Sequence, residues 1–186
     1  MKISIVSKDP EICSILEELL YDFDIDIYNT KIEEYFFEHQ KEMSIYICPG
    51  NSFGNMDGGY DQGIINVMGK QIERLVQKNI NQNYGGVLSI GSAIYIEDEN
   101  NHHIIYSPCM FFPETIRDYS IIFQCTYISL ICARKHNFNN IILPVFGGET
   151  GEVPYNIIAK YMKLGVDSFI NGINKEKIKH EIYEFL

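Results

Sequence analysis

Short apolar runs of strand character alternate along the chain with longer segments of helical period, and that alternation admits few folds. Strands are predicted at Ile3–Val6, Ile25–Tyr28, Ser44–Cys48, Ser92–Ile96, His103–Ser107 and Asn140–Val145. Between them, Glu11–Tyr21 places Ile12, Ile15, Leu16 and Leu19 on one helical face, and Ile64–Asn79 does the same with Ile64, Val67, Met68, Ile72, Leu75 and Val76. A third helix, Thr115–Lys135, is apolar around much of its circumference and is expected to be the most buried. Two more are predicted near Tyr155–Leu164 and Lys175–Phe185. Strands separated by helices define an α/β fold with a mixed, largely parallel sheet of about six strands.

At 186 residues with 46% apolar content, the chain suits one domain spanning residues 1–186, with a sizeable core. No internal repeat or Pro/Ser linker divides it, and Asp98–Asn101 reads as a polar hairpin tip. Lys8 and Asp9 end the first apolar run early, and no stretch approaches the roughly eighteen apolar residues of a membrane span. A soluble, cytoplasmic protein with no membrane partner is expected. The five cysteines are odd in number and lack a CxxC spacing, and His102-His103 lacks a second ligand pair, so no metal and no cofactor is predicted. The formal charge of −10, with scattered lysines, argues against extended nucleic acid. A small anion remains within reach if main-chain amides bind it.

Two glycine-rich loops each follow a strand and precede a helix: CPGNSFGNMDGGYDQG, from Cys48 to Gly63, and PVFGGETGEVP, from Pro144 to Pro154. In an open α/β sheet, ligands bind at the carboxyl ends of strands, where the next helix offers unpaired N–H groups and a partial positive charge. Such loops hold phosphate or pyrophosphate without lysine or arginine. The same glycines also serve sharp turns, and for the first loop both explanations stand. Two familiar phosphate loops are excluded by spacing: there is no GxxxxGK[ST], and the first strand runs into Ser7-Lys8-Asp9-Pro10 without a glycine.

The two loops in this order, separated by an amphipathic helix, a strand pair and a long helix, resemble the macrodomain family, in a divergent macro-like branch. The resemblance covers roughly Ile25–Ser168, with motif detail in the loops alone. It implies a three-layer α/β/α sandwich that binds ADP-ribose or a related nucleotide in a cleft at the strand ends. In some members it also implies hydrolysis of ADP-ribosyl or ADP-ribose phosphate bonds.

Carried over by position, Asn51 matches the asparagine that positions the distal ribose, with Ser52 and Phe53 following it into the loop. Gly58 and Gly59 match the glycine run beside that ribose and its phosphate. Asp61 matches the aspartate that orients or activates water in hydrolytic members, and equally suits a carboxylate stabilising the first turn of the next helix. Asn51 and Asp61 are thus the catalytic candidates. Phe146, Gly147, Gly148, Glu149, Thr150 and Gly151 match the loop that cradles phosphates. Phe53, Phe146 and Tyr155 are also explained by packing at strand ends. Two positions depart from the family: Lys31 stands near where an adenine-reading aspartate is usual, and Glu149 puts a negative charge in the phosphate loop. Three readings follow from the resemblance: a hydrolase of ADP-ribose derivatives, a reader that binds without turnover, and a degenerate fold that serves a protein partner.

Overall fold

The computed structural model describes residues 1–40 and 43–183. Six strands are joined by helices in the order β1 (Lys2–Ser7), α1 (Pro10–Leu19), β2 (Ile25–Asn29), α2 (Ile32–Glu38), β3 (Ile45–Asn51), α3 (Gly59–Met68) and α4 (Gln71–Tyr84). Then come β4 (Ile94–Glu97), β5 (His103–Met110), α5 (Ser120–Lys135), β6 (Asn140–Pro144), α6 (Tyr155–Asn171) and α7 (Lys175–Tyr183). They form one sheet in the order β2-β1-β6-β3-β5-β4, parallel throughout except for β4, which runs antiparallel to β5. All six expected strands are present in a mixed, mostly parallel sheet.

Side-chain alternation along the strands sorts the interior into two cores. Ile3, Ile5, Ile45, Ile47, Ile105, Ile141 and Leu143 face α1, α5 and α6, packing with Leu16, Ile122 and Ile158. Val6, Tyr46, Cys48, Ile104, Tyr106 and Ile142 face α2, α3 and α4, packing with Tyr35, Ile64 and Val76. The result is the three-layer sandwich expected from the sequence. Buried on both faces, the central strands lack the polar alternation of a one-sided sheet.

Local differences from expectation have identifiable causes. The single helix predicted over Ile64–Asn79 is two, because Gly69 at φ +93° ends α3 with its N–H bonded to the Ile65 carbonyl at 2.8 Å. Helix α2 has seven residues, too few for a periodic signal, and buries Ile32 and Tyr35. Helix α5 starts at Ser120 rather than Thr115, with the Asp118 carboxylate accepting from the Ser120 N–H at 3.0 Å. Strand β5 continues past Ser107 to Met110, and α6 past Leu164 to Asn171. The last two residues of the helix predicted to end at Phe185 lie outside the described residues.

The strand order creates the site. Pairing between β3 and β6 covers Ile45↔Ile141 and Tyr46↔Ile142 only, so their carboxyl ends are not held together by ladder bonds. Both glycine loops start at those ends. On the other side of β6, β1 pairs along its length and delivers Ser7 and Lys8 to the same edge.

A candidate ligand cleft between two glycine loops

A cleft of about 440 Å³ opens at the carboxyl ends of β1, β3 and β6. That volume falls within the range of small-molecule and cofactor sites. Its wall includes Gly50, Asn51, Asp57, Gly58, Gly59 and Asp61 from the first loop and Gly147, Gly148, Glu149, Thr150 and Gly151 from the second. Ser52, Phe53 and Phe146 do not line it. Ser52 is fully buried with its N–H bonded to the Met110 carbonyl at 3.0 Å, and Phe146 is fully buried in the core beneath the second loop. Phe53 turns outward instead and stacks on Phe112 at 4.9 Å between ring centroids.

Side chains from two other elements hold the first loop. Tyr106, on β5, lies beneath the end of β3: its hydroxyl accepts from the Asn51 N–H at 3.0 Å and donates to the Asn51 carbonyl at 2.9 Å. The ring approaches Gly50 so closely that a Cβ there would collide with its hydroxyl end, which explains a glycine in the strand. Next to this contact the ladder skips a residue, pairing Gly50 with Pro108 and Asn51 with Met110. The resulting bulge aims the strand end into the cleft. From α4, Glu73 accepts from the Met56 N–H at 3.0 Å and Gln77 donates to the Asn55 side chain at 3.2 Å.

Asn51 is almost fully buried, and both ends of its carboxamide are used within the loop. Its Oδ1 accepts from the Phe53 N–H and its Nδ2 donates to the Asn55 carbonyl, each at 3.0 Å. Asp61 stands in the first turn of α3, 7% exposed, with Oδ1 lacking a hydrogen-bond partner among the described residues. Burial raises its pKa well above the usual carboxylate value, and the negative charges of Asp57, Glu149 and Glu73 add to the shift. A buried, unpaired carboxyl on the wall of a cleft is a marker of function more often than of stability.

The second loop is folded by its own main chain. The Val153 N–H reaches back to the Gly147 carbonyl at 3.1 Å, the Glu152 N–H to Glu149 at 3.0 Å, and the Ile116 N–H caps the Gly151 carbonyl at 2.9 Å. Gly147 has φ +82°, and a Cβ on Gly151 would sit 2.8 Å from the Gly147 carbonyl oxygen, so side chains are barred by backbone. Glu149 extends from this loop across the cleft. One carboxylate oxygen is 2.6 Å from Lys8 Nζ, and the other occupies the space that a Cβ on Gly59 would need.

Five carboxylates (Asp9, Glu33, Asp57, Asp61 and Glu149) and two lysines (Lys8 and Lys31) line the cleft. Positive potential for an anion must therefore come largely from main-chain N–H groups and helix termini. The N–H groups of Gly59, Tyr60 and Asp61 precede the first intrahelical bond of α3, from the Gln62 N–H to the Gly58 carbonyl at 3.2 Å. Helix α3 thus leaves them free of helical acceptors. Lys31 reaches the wall with Thr30, Ile32 and Glu33, at the start of α2.

Lys8 and Asp9 were not among the sequence candidates. Asp9 caps α1 by accepting from the Glu11 N–H at 2.9 Å and accepts from the Tyr155 hydroxyl at 2.5 Å, which lowers its pKa. The available signal was a third strand-to-helix junction, Ser7-Lys8-Asp9-Pro10, without glycine.

No family model matches the sequence, and no curated protein matches it. Solved structures do match. The macrodomain of Mycobacterium tuberculosis DarG aligns at a TM-score of 0.57 and 14% identity over 67% of this chain and 81% of that one. A glycine-to-valine variant of the Oceanobacillus iheyensis macrodomain, solved with ADPR, aligns at 0.60 and 14% over 75% and 82%. Thermosipho africanus DarTG in complex with ADP-ribose aligns at 0.57 and 12% over 92% of this chain and 51% of that one. The chain has a divergent macrodomain-like fold. Variants of the Oceanobacillus protein replace an asparagine, a glycine seven positions later and an aspartate three further on. Asn51, Gly58 and Asp61 stand at the same intervals here.

Proposed function

We propose that the cleft binds ADP-ribose or an ADP-ribose derivative and hydrolyses an ADP-ribosyl or ADP-ribose phosphate bond. The observation that carries this reading is the buried carboxyl of Asp61, whose Oδ1 has no partner among the described residues, in a cleft lined by both glycine loops. The matching asparagine, glycine and aspartate intervals support it, as do the fold's neighbours solved with ADP-ribose. The diphosphate lies along the second loop and the α3 N-terminus, where main-chain N–H groups meet its charge. The distal ribose reaches Gly58, Gly59 and Asp61.

Turnover follows from that placement. Asp61, once ionised, takes a proton from a water that attacks the anomeric carbon. The new carbon–oxygen bond forms as the bond to the leaving oxygen breaks, and the leaving oxygen keeps the electron pair. Asp61 then returns its proton to the departing group. A pKa raised by burial suits a carboxyl that takes and gives back a proton better than one holding a fixed charge.

A reader that binds without turnover is the second reading, favoured by one observation. Both ends of the Asn51 carboxamide are engaged inside its own loop, which leaves it fewer contacts for a ribose.

Calorimetric titration with ADP-ribose tests binding; the wild type gives heat, and Gly148→Glu, which adds a charged side chain to the phosphate loop, gives none. Absence of heat from the wild type removes both readings. Release of ADP-ribose from modified protein, or of phosphate from ADP-ribose 1″-phosphate, tests turnover; Asp61→Ala lowers the rate by about 100-fold or more. Binding without release by the wild type leaves the reader.

A further inference from the structure

The carboxylate of Glu149 occupies a position built for an anion. One oxygen is paired with Lys8 at 2.6 Å, and the other lies against Gly59, the first residue of α3. A cation on one side and the positive end of a helix on the other form the surroundings that stabilise negative charge. Beside them the buried Oδ1 of Asp61 has no partner among the described residues, so the same corner of the cleft also presents a polar group without its bond. Among the described residues the Glu149 side chain is tied there by the ion pair alone, and both partners are about half exposed. A pair of that kind contributes little to stability and exchanges readily.

From this geometry we propose that Glu149 holds the place of a ligand phosphate, and that Lys8 is the cation which turns from the carboxylate to the phosphate when ligand enters. The inference rests on the ADP-ribose reading of the cleft and adds two specificity residues to it. Lys8 directly follows β1, outside both glycine loops, and reaches them because β1 lies beside β6. A ligand carrying phosphate must displace Glu149, whereas an uncharged nucleoside need not. Glu149 therefore sets a threshold that phosphate charge must exceed, and Lys8 rewards the ligand that exceeds it.

The test is calorimetric titration of wild type, Glu149→Gln, Lys8→Met and the double variant with ADP-ribose, and with adenosine as the probe lacking phosphate. Both side chains are exposed, and thermal melts verify that the variants remain folded. Glu149→Gln is expected to tighten ADP-ribose by about tenfold, and adding Lys8→Met to it reverses most of that gain. Adenosine affinity changes by less than about twofold in every variant. Lys8→Met alone weakens ADP-ribose by more than it does in the Glu149→Gln background, since it leaves the carboxylate unpaired beside the phosphate. ADP-ribose binding that is indifferent to Glu149→Gln overturns the exchange while leaving the cleft assignment intact. No heat from the wild type overturns both.

Discussion

The two glycine loops meet at one cleft but are built by opposite means. The first is anchored from outside: Tyr106 grips both main-chain groups of Asn51, and Glu73 and Gln77 tie Met56 and Asn55 to α4. The second is held mostly from within, by main-chain bonds among residues 147–153 and by Gly151 packed against the Gly147 backbone, with Thr115 and the Ile116 N–H tying it from outside. Externally anchored side chains make a platform whose position depends on other strands and helices. A loop closed on itself holds its backbone and leaves its side chains free, so Glu149 can reach across the gap. The platform carries the buried acid, and the self-closed loop carries the group we expect to move.

The strongest way to break that contrast is to disturb the platform's anchor. Gly50→Ala places a methyl group against the buried Tyr106 ring, and is expected to destabilise the protein by about 3 kcal/mol. For a chain of this size that lowers the melting temperature by roughly 6–12 °C. Tyr106→Phe removes the atom nearest the new methyl, so the double variant should lose less than the sum of the two single losses. Additive losses in thermal melts would mean that the hydroxyl clamp does not govern the approach at Gly50.

The acid on the platform gives the next largest effect, in the opposite direction. Its folded pKa is raised above the unfolded value, chiefly by burial, so the native state holds its proton more tightly than the unfolded chain does. Below the unfolded pKa of about 3.9 both states are protonated and the group costs nothing; as pH rises towards the folded pKa, stability is lost, and the loss then levels off. Asp61→Asn should therefore stabilise the protein near neutral pH, read as a higher melting temperature, while abolishing turnover. The gain should shrink as pH falls towards 4. A pH-independent difference between the melting curves would detach the effect from ionisation of Asp61.

Much of this molecule can be read from local pattern, because apolar period and turn residues act over a few positions. The six strands, the two loops and Asp61 all belong to that class. Helix α2 was missed because seven residues, IEEYFFE, complete two turns at most, and the break at Gly69 was hidden by apolar residues that keep helical spacing on either side. Tyr106 and Lys8 were missed for a different reason. Each acts across the sheet, on Gly50 through the pairing of β3 with β5 and on Glu149 through the position of β1 beside β6. Strand order is a property of the whole chain, and no spacing near Lys8 encodes it. The same limit explains Phe146: its place in the loop motif was legible, whereas the direction of its side chain, into the core beneath, depends on α5 and α6 being there.

The smallest expected effect tests the second loop. Lys8 and Glu149 have side chains 62% and 48% exposed, so solvent screens their attraction despite the 2.6 Å separation. Lys8→Met and Glu149→Gln should each change stability by less than about 1 kcal/mol, which moves the melting temperature by no more than roughly 2–4 °C. Both should nevertheless alter ADP-ribose affinity, because a ligand phosphate samples the same charges in a cleft partly cleared of water. If either variant melts as far below wild type as Gly50→Ala does, the ion pair is a structural tie and the second loop, like the first, is anchored from outside. A small shift in melting with a large shift in affinity would keep the two loops distinct: one fixed by its neighbours, the other carrying a charge that is held in place only until a ligand arrives.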